Sequence, residues 1–564
     1  MTTAAVAAAA PARQLSREDW VMRIGISLLC LFLIVTIAMP LALLLIKSFQ
    51  RDGEFVGLAN YVTYFSTPTL VASVWNSLFI AITATVITVP LAFAYAYALT
   101  RTCLPFKGVF MAIAMLPIFA PSLLPAISFI YIFGNQGFLK ELLLGASVYG
   151  PIGILMAMVF YCFPFAVLIL VTALSMADGR LYEAAAALGT SNWRVFWTVT
   201  VPGVKYGLVS ACFLVFTLAI TDFGIAKVIG GQFNVLATDA YKQVVGQQDF
   251  EMGAVVGFVL LVPAVLAFIV DRMIQKKQVA LLSARAVPLE PKPSRGRDIS
   301  YFVYCCVIGG LIVAIIGVAV WASFVTYWPY NLSLSLRNYN FSEFDQSGWD
   351  TYFNSVKMAA LAAALGTTIV FVGAYLVEKG QGFVFGRSLA HMLAMLPMAV
   401  PGLVLGLAYV FFFNAPWNPL NVLYGTLLVL AVNTIAHFYT AAHITAVTAL
   451  KQIDNEFESV SASLKVPFWR TFRRVTVPIC MPAILNIAVY MFVNAMTTVS
   501  AVIFLYGPYT KLASVSIVHM DEAGFTAGAA GMATLIVLTA IGVKLLHFAL
   551  DWLVFGKLQA WRKR

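Results

Sequence analysis

The chain has 564 residues, 61% of them hydrophobic and 10% charged, with a mean hydropathy of +0.90. So few polar residues cannot cover the surface of a soluble protein, and the chain reads as an integral membrane protein. The net charge of +11 does not point to nucleic acid, because the cations are spread between apolar runs instead of gathered with aromatics on one face.

Residues 1–20 are alanine-rich and carry Arg13 and Arg17. The apolar run behind them is too long for a signal-peptide core and lacks a small-residue cleavage site, so it reads as a retained helix. Crossing the ~30 Å hydrocarbon core takes about 20 apolar residues in a helix. That rule predicts spans near 24–46, 71–99, 107–133, 149–175, 204–229 and 252–270. A linker at roughly 272–299 follows, holding Lys276, Lys277, Arg285, Lys292, Arg295 and Arg297 with three prolines. Six more spans are predicted near 301–326, 352–376, 387–413, 421–449, 481–506 and 526–552. The expected fold is all-α and membrane-embedded, with a first unit over 1–271, the linker 272–299 and a second unit over 300–564.

Placing the N-terminus in the cytoplasm leaves Lys47, Arg51, Lys140, Lys242, Arg337, Lys357 and Lys511 on the opposite side and Lys227 and Lys544 within spans. The remaining Lys and Arg then fall on the cytoplasmic side with both termini and the linker, as the positive-inside rule requires. The seven cysteines, Cys30, Cys103, Cys162, Cys212, Cys305, Cys306 and Cys480, show no paired or metal-ligand spacing and read as small hydrophobes.

The two units are repeats. Asn60-Tyr61 and Asn76-Ser77 recur 278 residues later as Asn338-Tyr339 and Asn354-Ser355. Ala114-Met115-Leu116-Pro117 with Pro121 recurs at an offset of 280 as Ala394-Met395-Leu396-Pro397 with Pro401. Ala173-Leu174 and Asp178 recur at 276 as Ala449-Leu450 and Asp454. Many pairs in order at a nearly constant offset mark an internal duplication. With six spans each, the repeats run parallel, related by an axis along the membrane normal, and a path between them is expected.

A polar island occurs at one place in each repeat, over about 176–203 and 450–479. In the first, Tyr182 to Leu188 is alanine-rich and helical by composition. Gly189 can end that helix in a left-handed conformation. Thr190, Ser191 and Asn192 offer caps for a second short helix near Trp193 and Arg194. The expected shape is helix, sharp turn, helix at the cytoplasmic surface, with Glu183 and Arg194 supplying charge.

Glu183, Ala184, Ala185, Gly189, Val199, Val201 and Pro202 have the spacing of a known signature. They resemble the signature loop of binding-protein-dependent ABC importer permeases, and the whole chain resembles two fused type I permease domains. The resemblance implies that the loop is a coupling helix that docks into a groove of an ATPase subunit. It also implies a homodimer of such ATPase subunits and a periplasmic solute-binding protein as partners, in a bacterial inner membrane. No G-x-x-x-x-G-K-[ST] phosphate loop occurs in the chain, so hydrolysis is expected on a separate polypeptide and the chain itself is not read as an enzyme. No cofactor is expected.

The second island keeps Trp469, Arg470 and Pro478 but has Ser459, Val460, Ser461 and Lys465 where the signature has Glu, Ala, Ala and Gly. Glu458 is displaced by one residue, or ~100° around a helix. A lysine in a left-handed turn costs ~1–2 kcal/mol, so another turn geometry is expected at Lys465. Pro467 can begin the following helix at its first position. Two unequal docking sites are the result.

Intramembrane charge defaults to a functional hypothesis. Asp222, behind Thr221 in the fifth predicted span, faces Thr498 in repeat register, with Asn494 and Thr497 nearby. These five are the path candidates; the alternative for Asp222 is a structural ion pair with Lys227. Pro117, Pro121, Pro125, Pro397 and Pro401 break the third and ninth spans, as kinked packing helices or as a gate. His391, His437 and His443 lack ligand spacing, and no metal site is assigned.

The chain is thus expected to be the permease of an ATP-driven importer moving a small polar solute. An ion-coupled secondary transporter is the alternative class, but it calls for more intramembrane charges than Asp222. Fused permeases of this kind resemble ferric-iron and 2-aminoethylphosphonate importers. The segment 497–506 with 511–514 looks closer to the aminoethylphosphonate group, so that solute is the expectation and ferric iron the alternative.

Overall fold

A computed structural model describes residues 17–281, 287, 289–380, 382–454 and 456–555. The stretch through residue 16 with Arg13, the linker's Arg285 and the segment after 555 lie outside the described residues. Apart from two antiparallel hairpins, Gln50–Arg51 with Glu54–Phe55 and Val325–Tyr327 with Asn331–Leu334, the regular structure is helical. Among the described residues ten helices are long and apolar enough to cross a membrane. Two further pairs, Lys107–Phe119 with Leu123–Phe133 and Val384–Ala399 with Gly402–Phe413, bend by 99° and 115°, giving up to 12 spans if each pair is one. The bends fall at the expected prolines: Pro117 and Pro397 each sit in a single 3-10 turn just before the break, where a missing N–H and a ring clash end the α-helix.

Two predicted spans shift furthest from their expected bounds. The fifth, expected over 204–229, is the helix Asn192–Thr221, and the eleventh, expected over 481–506, is Phe468–Thr497. Hydropathy alone could not see that a short separate helix follows each: Gly224–Ile229 in the first repeat and, after a loop, Ala513–Glu522 in the second. Helix also extends into both ends of the expected linker. The sixth span's helix runs through Leu281 and the seventh begins at Arg295.

The repeated sequence pairs are repeated hydrogen bonds. Asn60 Nδ2 donates to Ser48 O (3.2 Å) and Gln50 O (2.7 Å), while Asn338 Nδ2 donates to Ser323 O (3.1 Å) and Val325 O (2.7 Å). Tyr61 and Tyr339 hydroxyls meet Ser48 and Ser323 at 2.7 and 2.8 Å. Ser77 Oγ accepts from Leu236 N and Ser355 Oγ from Ala513 N, both at 2.8 Å. Each device ties off backbone groups at a span end, where an unpaired carbonyl or N–H would be costly.

The first span of each repeat lies against the other repeat. Glu18–Ser48 packs on the eighth and ninth spans: Gly25 abuts Leu376, Gly373 abuts Leu29, and Arg23 lies 5.8 Å over the Phe383 ring. Arg295–Phe324 packs reciprocally on the first repeat, where Tyr304 donates to Leu91 O (2.8 Å) and Phe302 meets Phe110 edge-on at 5.8 Å. The two sequence units are therefore interlocked in space.

Candidate functional site

The helix Gly179–Ala187 starts where Asp178 Oδ1 accepts from Arg180 N at 3.1 Å. It stops at Gly189, whose φ of +65° lets Gly189 N reach Ala186 O (3.0 Å) and Thr190 N reach Ala185 O (3.0 Å). That bond pair is a Schellman close, which satisfies carbonyls the helix leaves free. Ser191 then caps the next helix, accepting from Arg194 N at 3.4 Å. Helix, sharp turn and helix stand as expected, with one correction: the second helix is not short but continues as the fifth span to Thr221.

The second copy corrects a further expectation. Lys465 is left-handed, with φ +54°, and Val466 N donates to Ser461 O at 2.9 Å, as Thr190 does to Ala185. The strain of an L-residue there, ~1–2 kcal/mol, is borne because the turn joins two helices whose directions are fixed by packing. Asp454 caps the helix Glu456–Ser463 through Glu456 N at 3.1 Å. Pro467 stands as the cap residue one position before the expected first turn. The two turns share a backbone and differ in side chains.

Both turns present apolar side chains outward. Leu188 and Trp193 are 82% and 73% exposed; Leu464 and Trp469 are 69% and 51% exposed. Glu183, Ala184, Arg194 and Pro202 are exposed with them, and Ala185 is buried. Ser459, Arg470 and Pro478 are likewise exposed. Glu458 is not part of that face. It turns inward to Lys379 at the end of the eighth span, at 3.3 Å, and that lysine is 5% exposed and also donates to Ile453 O. Arg101 does the equivalent in the first repeat, donating to Leu174 O at 2.6 Å and lying 5.0 Å over the Tyr182 ring. Each surface helix thus rests on a buried cation, which sequence pattern alone did not single out.

Immediately behind each turn the helix widens to a π turn, over Phe196–Thr200 and Phe472–Thr476. Val201 N donates to Phe196 O and Val477 N to Phe472 O, five residues back. Pro202 and Pro478 follow at once, and neither has an N–H to continue the α ladder. The signature proline therefore sets a fixed irregularity between turn and span.

The path candidates sit where the fifth and eleventh spans end. Asp222 and Thr498 are the C-cap residues of those helices. Asp222 is not inside a span and not paired with Lys227: its Oδ2 accepts from Ile225 N at 2.8 Å, and Lys227 bonds Glu522 at 2.5 Å. Thr221 and Thr497 hydroxyls donate to Thr217 O (2.8 Å) and Val493 O (3.0 Å), and Asn494 Nδ2 to Tyr490 O (2.8 Å). Thr498 O accepts from Ser514 Oγ at 2.6 Å. Among the described residues no hydrogen bond joins the Asp222 side to the Asn494, Thr497 and Thr498 side; the two sets line their own repeats. The breaks are matched in a complementary way. Gly224 is pressed by Ser122 Oγ and Gly402 by Ser500 Oγ, so the serine and glycine trade places between repeats, and neither glycine has room for a Cβ.

Two of the histidines are closer than their spacing suggested: His391 Nδ1 and His443 Nε2 lie 3.4 Å apart across two helices. Among the described residues no group of three or more His, Cys, Asp or Glu is placed to hold a metal.

The family described as "Binding-protein-dependent transport system inner membrane component" matches residues 89–279 and 381–556, one stretch in each repeat. The chain belongs to that family. It is a fused, two-repeat ABC importer permease. Similar relatives include the putative ferric transport system permease protein FbpB 1 of Haemophilus influenzae, 27% identical over 86% of this permease and 78% of the relative. The ferric transport system permease protein FbpB of Actinobacillus pleuropneumoniae is 28% identical over 94% and 77%. The spermidine/putrescine permease PotB of H. influenzae is 26% identical over 39% of this permease and 82% of its own length, the size of one repeat. Relatives that match along most of this permease are ferric transport permeases, and the expectation of 2-aminoethylphosphonate, which rested on some twenty residues of resemblance, finds no support among them.

Proposed function

We propose that this permease moves ferric iron from a periplasmic solute-binding protein into the bacterial cytoplasm, driven by a separate ATPase dimer. The observation that carries the reading is similarity to two ferric permeases along nearly the full chain. The turns at Gly189 and Lys465 are assigned to the ATPase subunits, with Glu183, Ala184, Ala185, Trp193, Arg194, Ser459, Trp469 and Arg470 around them. Pro202 and Pro478 stand behind the turns as the join to the spans. Glu458 is reassigned from docking to support, because its carboxylate is spent on Lys379.

The distribution of Lys and Arg supports a cytoplasmic position for the turns and both termini. The path is placed along Asp222, Thr221, Asn494, Thr497 and Thr498 at the span ends. A carboxylate with hydroxyl and amide oxygens suits a hard cation better than an anion. The test is ATP-dependent uptake of radiolabelled ferric iron into proteoliposomes holding this chain, its ATPase and its binding protein. Uptake of 2-aminoethylphosphonate in place of iron, or uptake driven by an ion gradient without ATP, defeats the proposal.

A further inference from the structure

At the end of the bundle away from the turns, two short helices meet across the boundary between repeats. The fifth span, Asn192–Thr221, separates them from the first turn by 30 residues of helix, about 45 Å. Helix Gly224–Ile229 is fastened to the first repeat: Asp222 holds its Ile225 N–H, and Gly150 N donates to Ile229 O at 2.9 Å. Helix Ala513–Glu522 is fastened to the second: Ser355 holds Ala513 N, Lys511 bonds Asp345 at 2.7 Å, and the Ser516 hydroxyl donates to Asp345. Each helix therefore moves with its own repeat.

They pack directly on one another, and an ion pair locks the contact. Lys227 Nζ lies 2.5 Å from Glu522 Oε1, with the lysine 18% and the glutamate 41% exposed. The same ammonium lies 4.6 Å over the Tyr241 ring, and that ring stacks on Phe504 of the second repeat at 6.2 Å. A cation sheltered from water on one side by a ring and on the other by a carboxylate is held more firmly than an exposed pair. The repeat supplies no second copy: the residue 276 positions beyond Lys227 is Ile503.

We infer that Lys227 and Glu522 form the bolt that closes the transport path at its outer end, and that the bolt must part for solute to enter. The inference rests on the importer reading for its direction, but the contact itself does not. An ion pair between two elements anchored on different repeats has two discrete states, made and broken. It therefore biases an open–closed equilibrium without altering either repeat. Among the described residues the pair has no repeat-related copy, so this one carboxylate and ammonium act on both repeats.

The test uses the full chain in nanodiscs and, separately, the assembled complex with ATPase and binding protein. Lys227→Met is expected to lower hydrogen-exchange protection of amides 224–229 and 513–522 about tenfold. It is also expected to raise ATP hydrolysis in the absence of binding protein several-fold. The charge-reversed K227E/E522K variant is expected to recover much of both, which separates a lost pair from a damaged fold. Unchanged protection in Lys227→Met overturns the contact's role. Lost protection with unchanged basal hydrolysis overturns the gating role. A wild-type complex that hydrolyses no ATP counts against the importer reading instead, and the exchange experiment alone then decides the bolt.

Discussion

The left-handed residue of each surface turn offers a quantitative comparison between the repeats. A Cβ placed on Gly189 meets nothing within 4 Å, so replacing that glycine adds no collision; the cost is backbone strain alone. At φ +65° that strain is ~1–2 kcal/mol for an ordinary L-residue, with valine at the upper end because it is β-branched. Lys465 at φ +54° already carries it. Gly189→Val thus suffers the whole penalty, while Lys465→Val suffers only the added cost of branching. Because packing of the flanking helices holds the turn left-handed without the ATPase, the penalty falls on folding: Gly189→Val is expected to cost ~1–2 kcal/mol of stability and Lys465→Val clearly less. Lys465→Gly relieves the strain but frees the unfolded chain by ~0.4–1 kcal/mol, leaving roughly 0.5–1 kcal/mol of added stability. Thermal denaturation of the nanodisc-held permease measures all three. Equal losses in the two valine variants, or lower stability in Lys465→Gly, refutes the strain account.

Lys379→Met leaves the Glu458 carboxylate part-buried without its cation, and the expected loss of stability is about 3–5 kcal/mol, with the K379M/E458Q pair recovering most of it in thermal denaturation. Asn60→Ala and Asn338→Ala each strip two backbone carbonyls of their donor and are expected to cost about 1–3 kcal/mol apiece, equally in both repeats; a large difference between them contradicts the shared role. Burial and the neighbouring Glu522 push the Asp521 carboxyl up to about 7 from its ordinary value of 3.8. The folded chain therefore favours the protonated form, so this residue's contribution is complete below pH 4 and is lost as pH rises toward 7. Melting temperatures of wild type and Asp521→Asn are expected to diverge across that window, and parallel curves disprove the assignment.

Membrane class, the duplication and the broken third and ninth spans were legible because each rests on local signals: apolar run length, ordered recurrence and proline. The turn after Ala187 was legible for the same reason, since Gly189 and Ser191 act within a few residues of where they stand. Lys465 was misread because propensity weighs a residue alone, whereas two packed helices dictate the angle between them. Asp222 was misplaced because Phe223 to Ile229 is apolar enough to extend a span, and hydropathy does not register the N–H that Asp222 captures at Ile225. Lys227 with Glu522, and Lys379 with Glu458, join residues 295 and 79 positions apart in sequence, and nothing in a single chain signals such pairings.

The interlocked first spans bear on how the protein is made. Glu18–Ser48 is made well before its partners Asp350–Lys379 and Val384–Ala399, which come some 330 residues later. At about 5–20 residues per second that interval is roughly 15–65 s. During it the helix stands without Leu376 beside Gly25 or the Gly386 carbonyl at Cys30, a vacancy that small residues and Thr36, bonded to its own Phe32 carbonyl at 2.7 Å, make tolerable. Assembly therefore includes a clasp: Glu18–Ser48 is locked only after the eighth and ninth spans have followed it into the bilayer.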